Sequence, residues 1–269
     1  MTERLQVPYG IVLAILSGFG AITALILFFY FLIFYPVRGG TSVLGYMLLI
    51  GVLFIYLVNF AFLLHARDAT CGIRRYCFGI SYAVAMAAML TKVLNTWRVD
   101  TYAQYQAPYR KLSHPLWLFG TAMGIALVEV IINSEWMIIT PPAYGYINYN
   151  GQLYPQCAPI GDFYIELLKG NIYVMVLIVL TAFFAVLTWR SEENSGESRW
   201  ILVASFFTGA CWIIWGMVVS VGPMRYHDSG TVIANLFSAT IIMLSIYARK
   251  FYLLHKYRNE EEKEGKYLL

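Results

Sequence analysis

The chain has 269 residues, of which 59% are hydrophobic and only 13% charged. A soluble domain carries about 25% charged residues, so with a mean hydropathy of +0.63 this composition excludes one and indicates an integral membrane protein. The net charge of +4 is carried by Lys and Arg gathered on one side of the apolar runs, so it is no sign of nucleic-acid binding.

A helix that crosses a bilayer needs ~20 apolar residues. Seven runs qualify, at about 9–35, 42–65, 72–97, 116–139, 163–189, 200–221 and 231–254. The expected fold is an all-α membrane protein, a bundle of seven transmembrane helices. Residues 1–8 form a short outer N-terminus, 9–255 the membrane domain, and 256–269, "KYRNEEEKEGKYLL", a charged tail. The first run is too long for the core of a signal peptide, and no A-x-A-like site follows it, so it reads as a span. The longest outer loop is 141–162. Twelve Lys and Arg fall on one side of the membrane and six on the other, with Lys92 inside a span. The richer side is expected to be cytoplasmic. That places the N-terminus outside, the C-terminus inside, and the chain in contact with membrane lipid.

The chemistry follows in chain order. Cys71 stands at the outer mouth of span 3 and Cys157 in the long outer loop. Both face an oxidising compartment, where a disulfide persists. A bridge would pin the loop over the bundle; the other reading is two free thiols. Cys77 and Cys211 read as buried apolar filler. Lys92, in "MLTKVLNTWR", sits one to two turns from the inner end of span 3. It either snorkels to the headgroups or pairs with Glu197 of "SEENSGESRW", at the inner mouth of span 6.

"LVEVIINSEWMIITPP" at 127–142 puts two carboxylates in one span. A charge at mid-bilayer costs ~2.5–3.5 kcal/mol even on the lenient scale. Glu129 and Glu135 are six residues apart, which points them to different faces, so they are no catalytic pair. Glu129 lies near the centre, one turn from Asn133 on the same face, and must face the bundle or be protonated. Glu135 lies two turns from the outer end. Either Glu129 is a hydrogen-bonded structural acid and Glu135 an interfacial charge, or Glu129 belongs to a ligand pocket. Trp212 and Trp215, in "FFTGACWIIWGM", lie mid-span 6, where aromatics usually pack the core. A buried Trp212 needs a partner for its indole N–H.

The four histidines, His65, His114, His227 and His255, sit at span ends on both sides and cannot share a metal. Span 7 has no lysine before Lys250, which argues against a retinal Schiff base. No G-x-S-x-G, P-loop or dinucleotide fingerprint occurs. No enzyme, no metal and no cofactor are therefore expected.

These motifs resemble the membrane domain of class C G-protein-coupled receptors, from span 1 to the tail. "CGIRR" at 71–75 resembles the Cys-x-x-x-Arg at the top of span 3, and "LTK" at 90–92 its inner signature. "NSGESRWI" at 194–201 is similar to the Asn-x-x-Glu-x-Lys-x-Ile entry to span 6, with Arg199 for the lysine. "ITPP" at 139–142 resembles the end of span 4. "LVEVIINSEWMIIT", "CAPIGDF" and "WIIWGM" look most like the retinoic-acid-inducible orphan receptors. "KVLNTWR" leans towards the related bride of sevenless.

The resemblance implies a Cys71–Cys157 disulfide, an ionic lock between Lys92 and Glu197, and a pocket between spans 3, 5, 6 and 7 above Trp212. Trp212, Tyr82 and Glu129 are the candidate pocket or switch residues. Lys250 and Tyr252 match the inner end of span 7, but Arg249 replaces the family's proline and puts the kink there in question. The family's large extracellular ligand-binding lobe is absent from this sequence. The closing "EGKYLL" fits an acidic dileucine sorting pattern through Glu264, Leu268 and Leu269.

The first functional expectation is a dimeric plasma-membrane receptor that answers an unidentified small-molecule or protein ligand and passes the change to a heterotrimeric G protein. G-protein contact would use 98–114, 190–199 and the tail. The alternative is a cell-surface recognition protein engaging a receptor tyrosine kinase on a neighbouring cell. It would normally need an extracellular head, and about eight residues precede span 1. A transporter is a third reading, which predicts broken helices or a repeated half.

Overall fold

A computed structural model describes residues 8–34, 40–104, 114–141, 143–149, 152–157, 163–190, 196–223 and 226–248. In hydrocarbon every backbone N–H and C=O has to be satisfied internally, so apolar runs cross as helices. The helices are α1 (Pro8–Phe34), α2 (Gly40–Leu63), α3 (Asp68–Gln104), α4 (Pro115–Ile139), α5 (Phe163–Gly170), α6 (Ile172–Leu187), α7 (Glu197–Val221) and α8 (His227–Met243). A π-turn, Leu244–Ala248, continues α8. Among the described residues six helices are long and apolar enough to cross alone; α5 and α6 together supply the seventh span, bent by 44°.

That bend corrects the reading of 163–189 as one unbroken span. The apolar run is interrupted by Gly170 and Asn171. Glycine is a weak helix former, and an asparagine amide competes for backbone carbonyls. Asn171 Nδ2 donates to the Leu167 carbonyl at 2.7 Å, beside the bond from its own backbone N–H at 3.2 Å.

Helix α3 is the most enclosed span, and α1 and α4 show the most surface to lipid. At 37 residues, α3 continues past the expected end near 97. Lys92 is therefore about three turns from the helix C-terminus, not one to two. At the other end of the bundle, β1 (Gly145–Tyr149) and β2 (Gln152–Gln156) pair antiparallel, Gly145 opposite Gln156 and Tyr149 opposite Gln152. The outer loop thus holds a hairpin, and Cys157 follows it directly. Span 7 begins four residues earlier than expected, at His227. Arg249, Lys250, Tyr252 and the sorting residues Glu264, Leu268 and Leu269 lie outside the described residues.

Close approach of α2 to α3 depends on Gly51. A Cβ there would meet the Ala85 backbone N at 2.7 Å and Cα at 2.9 Å. Neither can yield without moving α3. Overpacking of this kind costs about 1–3 kcal/mol. Gly51→Ala is expected to lower the unfolding temperature of the solubilised protein by about 3–10 °C. Gly120→Ala, with nothing within 4 Å of the new methyl, should leave it unchanged. A thermal melt of both variants checks this.

Candidate functional site

Among the described residues, four groups of polar and aromatic side chains join helices inside the bundle. At the first, Cys71 of α3 and Cys157 are joined by a disulfide, Cα to Cα 5.4 Å. One turn along α3, Arg74 is only 2% exposed. Its Nε donates to the Ala61 carbonyl at 2.8 Å, and its Nη2 to the Phe62 and Leu64 carbonyls at 3.2 and 2.8 Å. Those carbonyls close α2, where the last four C=O groups lack helical partners and the dipole attracts a cation. Nη1 meets Asp228 Oδ1 of α8 at 3.2 Å and approaches Cys157 Sγ at 3.8 Å. Asp228 also accepts from the Tyr164 hydroxyl of α5. Arg74 therefore binds α2, α3, α5, α8 and the disulfide together. The Cys-x-x-x-Arg motif points to Arg75 instead. That residue lies over the Trp136 ring at 5.2 Å, bonds Thr140 at 3.3 and 3.2 Å, and stands 3.9 Å from Glu166.

The second place is aromatic. Trp212 of α7 meets the Tyr82 ring edge-on at 4.9 Å, Phe78 at 5.6 Å and Trp215 at 5.3 Å. Tyr82 and Trp212 are thus brought together, as a pocket of the expected kind requires, but they pack against one another. The Trp215 indole donates to Thr231 Oγ1 of α8 at 2.9 Å. The Tyr82 hydroxyl donates to Asn235 Oδ1 at 2.9 Å, Asn235 to Asn59 Oδ1 at 2.9 Å, and Asn59 to Ser17 Oγ at 3.2 Å. This buried relay joins α3, α8, α2 and α1 below the aromatic rings, and the sequence reading passed it over.

The third place lies towards the other end. The Lys92 ammonium of α3 pairs with Glu197 Oε1 in the first turn of α7. Lys92 is 4% exposed and Glu197 21%. A carboxylate in a first turn is favoured by the helix dipole. Gly196, just before it, has φ 76°, a conformation that suits glycine. Tyr247 of the π-turn lies within electrostatic range of Glu197 and donates its hydroxyl to the Gly45 carbonyl of α2. The pair thus sits where α3, α7 and the end of span 7 meet.

Glu129 belongs to the fourth place, where α3, α4 and the bend of span 5 meet. It is fully buried and its Oε1 accepts from Asn133 Nδ2 at 2.7 Å. Glu135 is exposed and only one turn from the end of α4 at Ile139, closer than the expected two turns. Cys77 and Cys211 are half-buried, not the buried filler the sequence suggested. Among the described residues no three His, Cys, Asp or Glu are grouped to hold a metal.

Comparison with known proteins agrees with this architecture. The family model described as the 7 transmembrane sweet-taste receptor of 3 GCPR matches residues 4–250. The chain is 28% identical to the G-protein coupled receptor family C group 5 member C of Mus musculus over 239 residues, 82% of this chain and 51% of that protein. It is 24% identical to the metabotropic glutamate receptor of Drosophila melanogaster over 220 residues, 81% of this chain and 22% of the other. With the probable metabotropic glutamate receptor mgl-1 of Caenorhabditis elegans it shares 26% identity over 273 residues, 99% of this chain and 27% of that one. The chain therefore spans about a quarter to a half of the length of these relatives. Matched by the family model over nearly all its length, the chain belongs to the class C (family 3) seven-transmembrane receptors, multi-pass proteins of the plasma membrane and not enzymes.

Proposed function

We propose that the chain is a signalling domain that passes a change on its Cys71 side to a heterotrimeric G protein on its Lys92 side. The disulfide end then faces the outside and the Lys92 end faces the cytoplasm, in keeping with the excess of Lys and Arg at that end; residues 105–113 and 191–195 of the expected contact loops lie outside the described residues. The observation that carries the reading is the ion pair between Lys92 and Glu197. It ties α3 to α7 at the end where a G protein would dock. In this proposal the pair biases the resting arrangement. Moving α7 away leaves Lys92 buried, so a second arrangement has to offer it water or other acceptors.

A ligand can favour that second arrangement only through a higher affinity for it. The Trp212–Tyr82 cluster is the proposed sensor, because a group entering between α3, α7 and α8 displaces rings whose hydroxyl partner, Asn235, lies on α8. A dimer is proposed on family grounds alone. The alternative of engaging a receptor tyrosine kinase has no feature in its favour among the described residues.

The test is basal G-protein activation in cells, read across the main G-protein classes at matched surface expression. Lys92→Ala and Glu197→Ala are each expected to raise basal activity in one class at least fivefold, the lower end of ordinary allosteric coupling. Silence in the wild type and both variants would remove the pair's proposed role.

A further inference from the structure

Glu129 is the costliest residue in the bundle to explain. Its side chain has no exposed surface, and that of Asn171, facing it from the bend of span 5, is 1% exposed. The neighbouring amides are oriented by their own hydrogen bonds, which settles oxygen against nitrogen. Asn133 Nδ2 donates to the Glu129 carbonyl at 3.0 Å and to Glu129 Oε1 at 2.7 Å. Asn171 Nδ2 is taken by the Leu167 carbonyl at 2.7 Å. The Asn171 Oδ1 is therefore turned towards Glu129. Neither that oxygen nor Glu129 Oε2 has a hydrogen-bond partner.

Gly79 of α3 makes the meeting possible. A Cβ on it would lie 2.2 Å from Glu129 Oε1 and 2.3 Å from Asn171 Oδ1. The carboxyl and the amide oxygen converge on the bare backbone of α3. Both are acceptors, and an ionised carboxylate in this setting would face a second lone-pair oxygen in a hydrocarbon interior. The place between them is filled by the Gly79 Hα, one bond length from the Cα, so neither a water molecule nor a sodium ion fits there.

The surrounding titratable groups are otherwise engaged. On α6, Tyr173 is within electrostatic range of Glu129, but its hydroxyl donates to the Ile125 carbonyl at 2.8 Å. On α3, Arg75 is held by Thr140 and Glu166 one turn nearer the Cys71 end, and Cys77 is half-buried. On α5, Glu166 stands 3.9 Å from Lys169. On α4, Glu135 points away from the junction, into exposed surface.

We propose that Glu129 is a proton-binding site: its carboxyl is held neutral and donates its O–H to Asn171 Oδ1, tying α4 to the bend of span 5 across Gly79. One solvent proton adds to the carboxylate, and no other bond changes. A protonated carboxyl supplies one donor, which Asn171 Oδ1 lacks. An apolar site favours the neutral acid. Loss of the proton sets two acceptors against each other and opens the joint at the 44° bend. Protonation and the shape of span 5 are thereby coupled, whether or not the chain engages a G protein.

The test is an infrared spectrum of the full chain in lipid nanodiscs at neutral pH. The wild type is expected to show the C=O stretch of a protonated, hydrogen-bonded carboxylic acid. Glu129→Gln, which keeps an N–H donor for Asn171, should lose that band and unfold at the wild-type temperature. Asn171→Ala should keep the band and move it to the higher frequency of an unbonded acid, which reads the same bond if Glu129→Gln fails to fold. A difference spectrum that contains only ionised carboxylate, with or without sodium dependence, overturns the proposal. So does a band that Asn171→Ala leaves unmoved.

Discussion

Arg74→Leu is expected to be the most damaging single substitution among the described residues. It strips three carbonyls at the end of α2 of their donor and takes the Arg74 cation away from Asp228. Breaking a buried ion pair from one side costs about 3–5 kcal/mol, and each orphaned buried acceptor adds about 1–3 kcal/mol, not additively. At about 2–4 °C per kcal/mol for a chain near this size, the unfolding temperature should fall by about 10–20 °C, or no folded protein should reach the cell surface. Arg74→Lys keeps the charge but not the fork of donors, and should fall between. Arg75→Leu is the contrast: its partners are at 3.2 Å or beyond and one of them, Glu166, is partly exposed. It should cost less than about 1.5 kcal/mol. Thermal melts and surface labelling of the three variants check this. A collapse of Arg75→Leu with Arg74→Leu near wild type would reverse the assignment.

Cys71→Ser is the second large effect. The bridge closes a loop of 86 residues, for which the chain-entropy account gives about 4–5 kcal/mol, and removing native bridges typically costs 2–5 kcal/mol. A loss of about 5–15 °C is expected, with reduced surface expression. Cys157→Ser should match it, and the double variant should be no worse than either, since one bond is removed in all three. Combining Cys71→Ser with Arg74→Leu should cost less than their sum, because Arg74 Nη1 rests against Cys157 Sγ. Cys77→Ser and Cys211→Ser, at half-buried free thiols, should change little. A wild-type protein whose melting is indifferent to reductant would contradict the disulfide's weight.

The spans were legible because a bilayer asks for length and apolarity, which any window of sequence displays. What interrupts or joins them was not. The break in span 5 rests on Gly170 and Asn171, just after Glu166 and Lys169, and the effect of the amide depends on Leu167 and on the neighbours across Gly79. Asn59 and Asn235 carried a usable signal: a polar side chain mid-span has to find a partner. The rule holds for these amides as it does for the glutamates. Asn150-Gly151 between β-prone residues is likewise a strong short-range hairpin signal within the 141–162 loop. Two adjacent arginines cannot be told apart from sequence. Arg74 reaches the open end of α2 while Arg75, also buried, faces Trp136 and Thr140, and only the tertiary arrangement states this. Lys92 and Glu197 are 105 residues apart, so no spacing argument joins them. Matching depth at the inner mouth offered the pair beside snorkelling and the family likeness favoured it, while the placement of Lys92 along α3 is short by a turn or more.

In the proposed mechanism an electrostatic tie between α3 and α7 governs the signalling state. The most direct measurement is basal G-protein activation for Lys92→Glu, Glu197→Lys and the two together, at matched surface expression. Each single reversal sets like charges against one another and should raise basal activity more than the alanine variants do. The double reversal restores an attractive pair and should return activity to within about twofold of wild type, a coupling of 1–3 kcal/mol recovered. A double variant as active as the singles, or three variants indistinguishable from wild type, would contradict the claim.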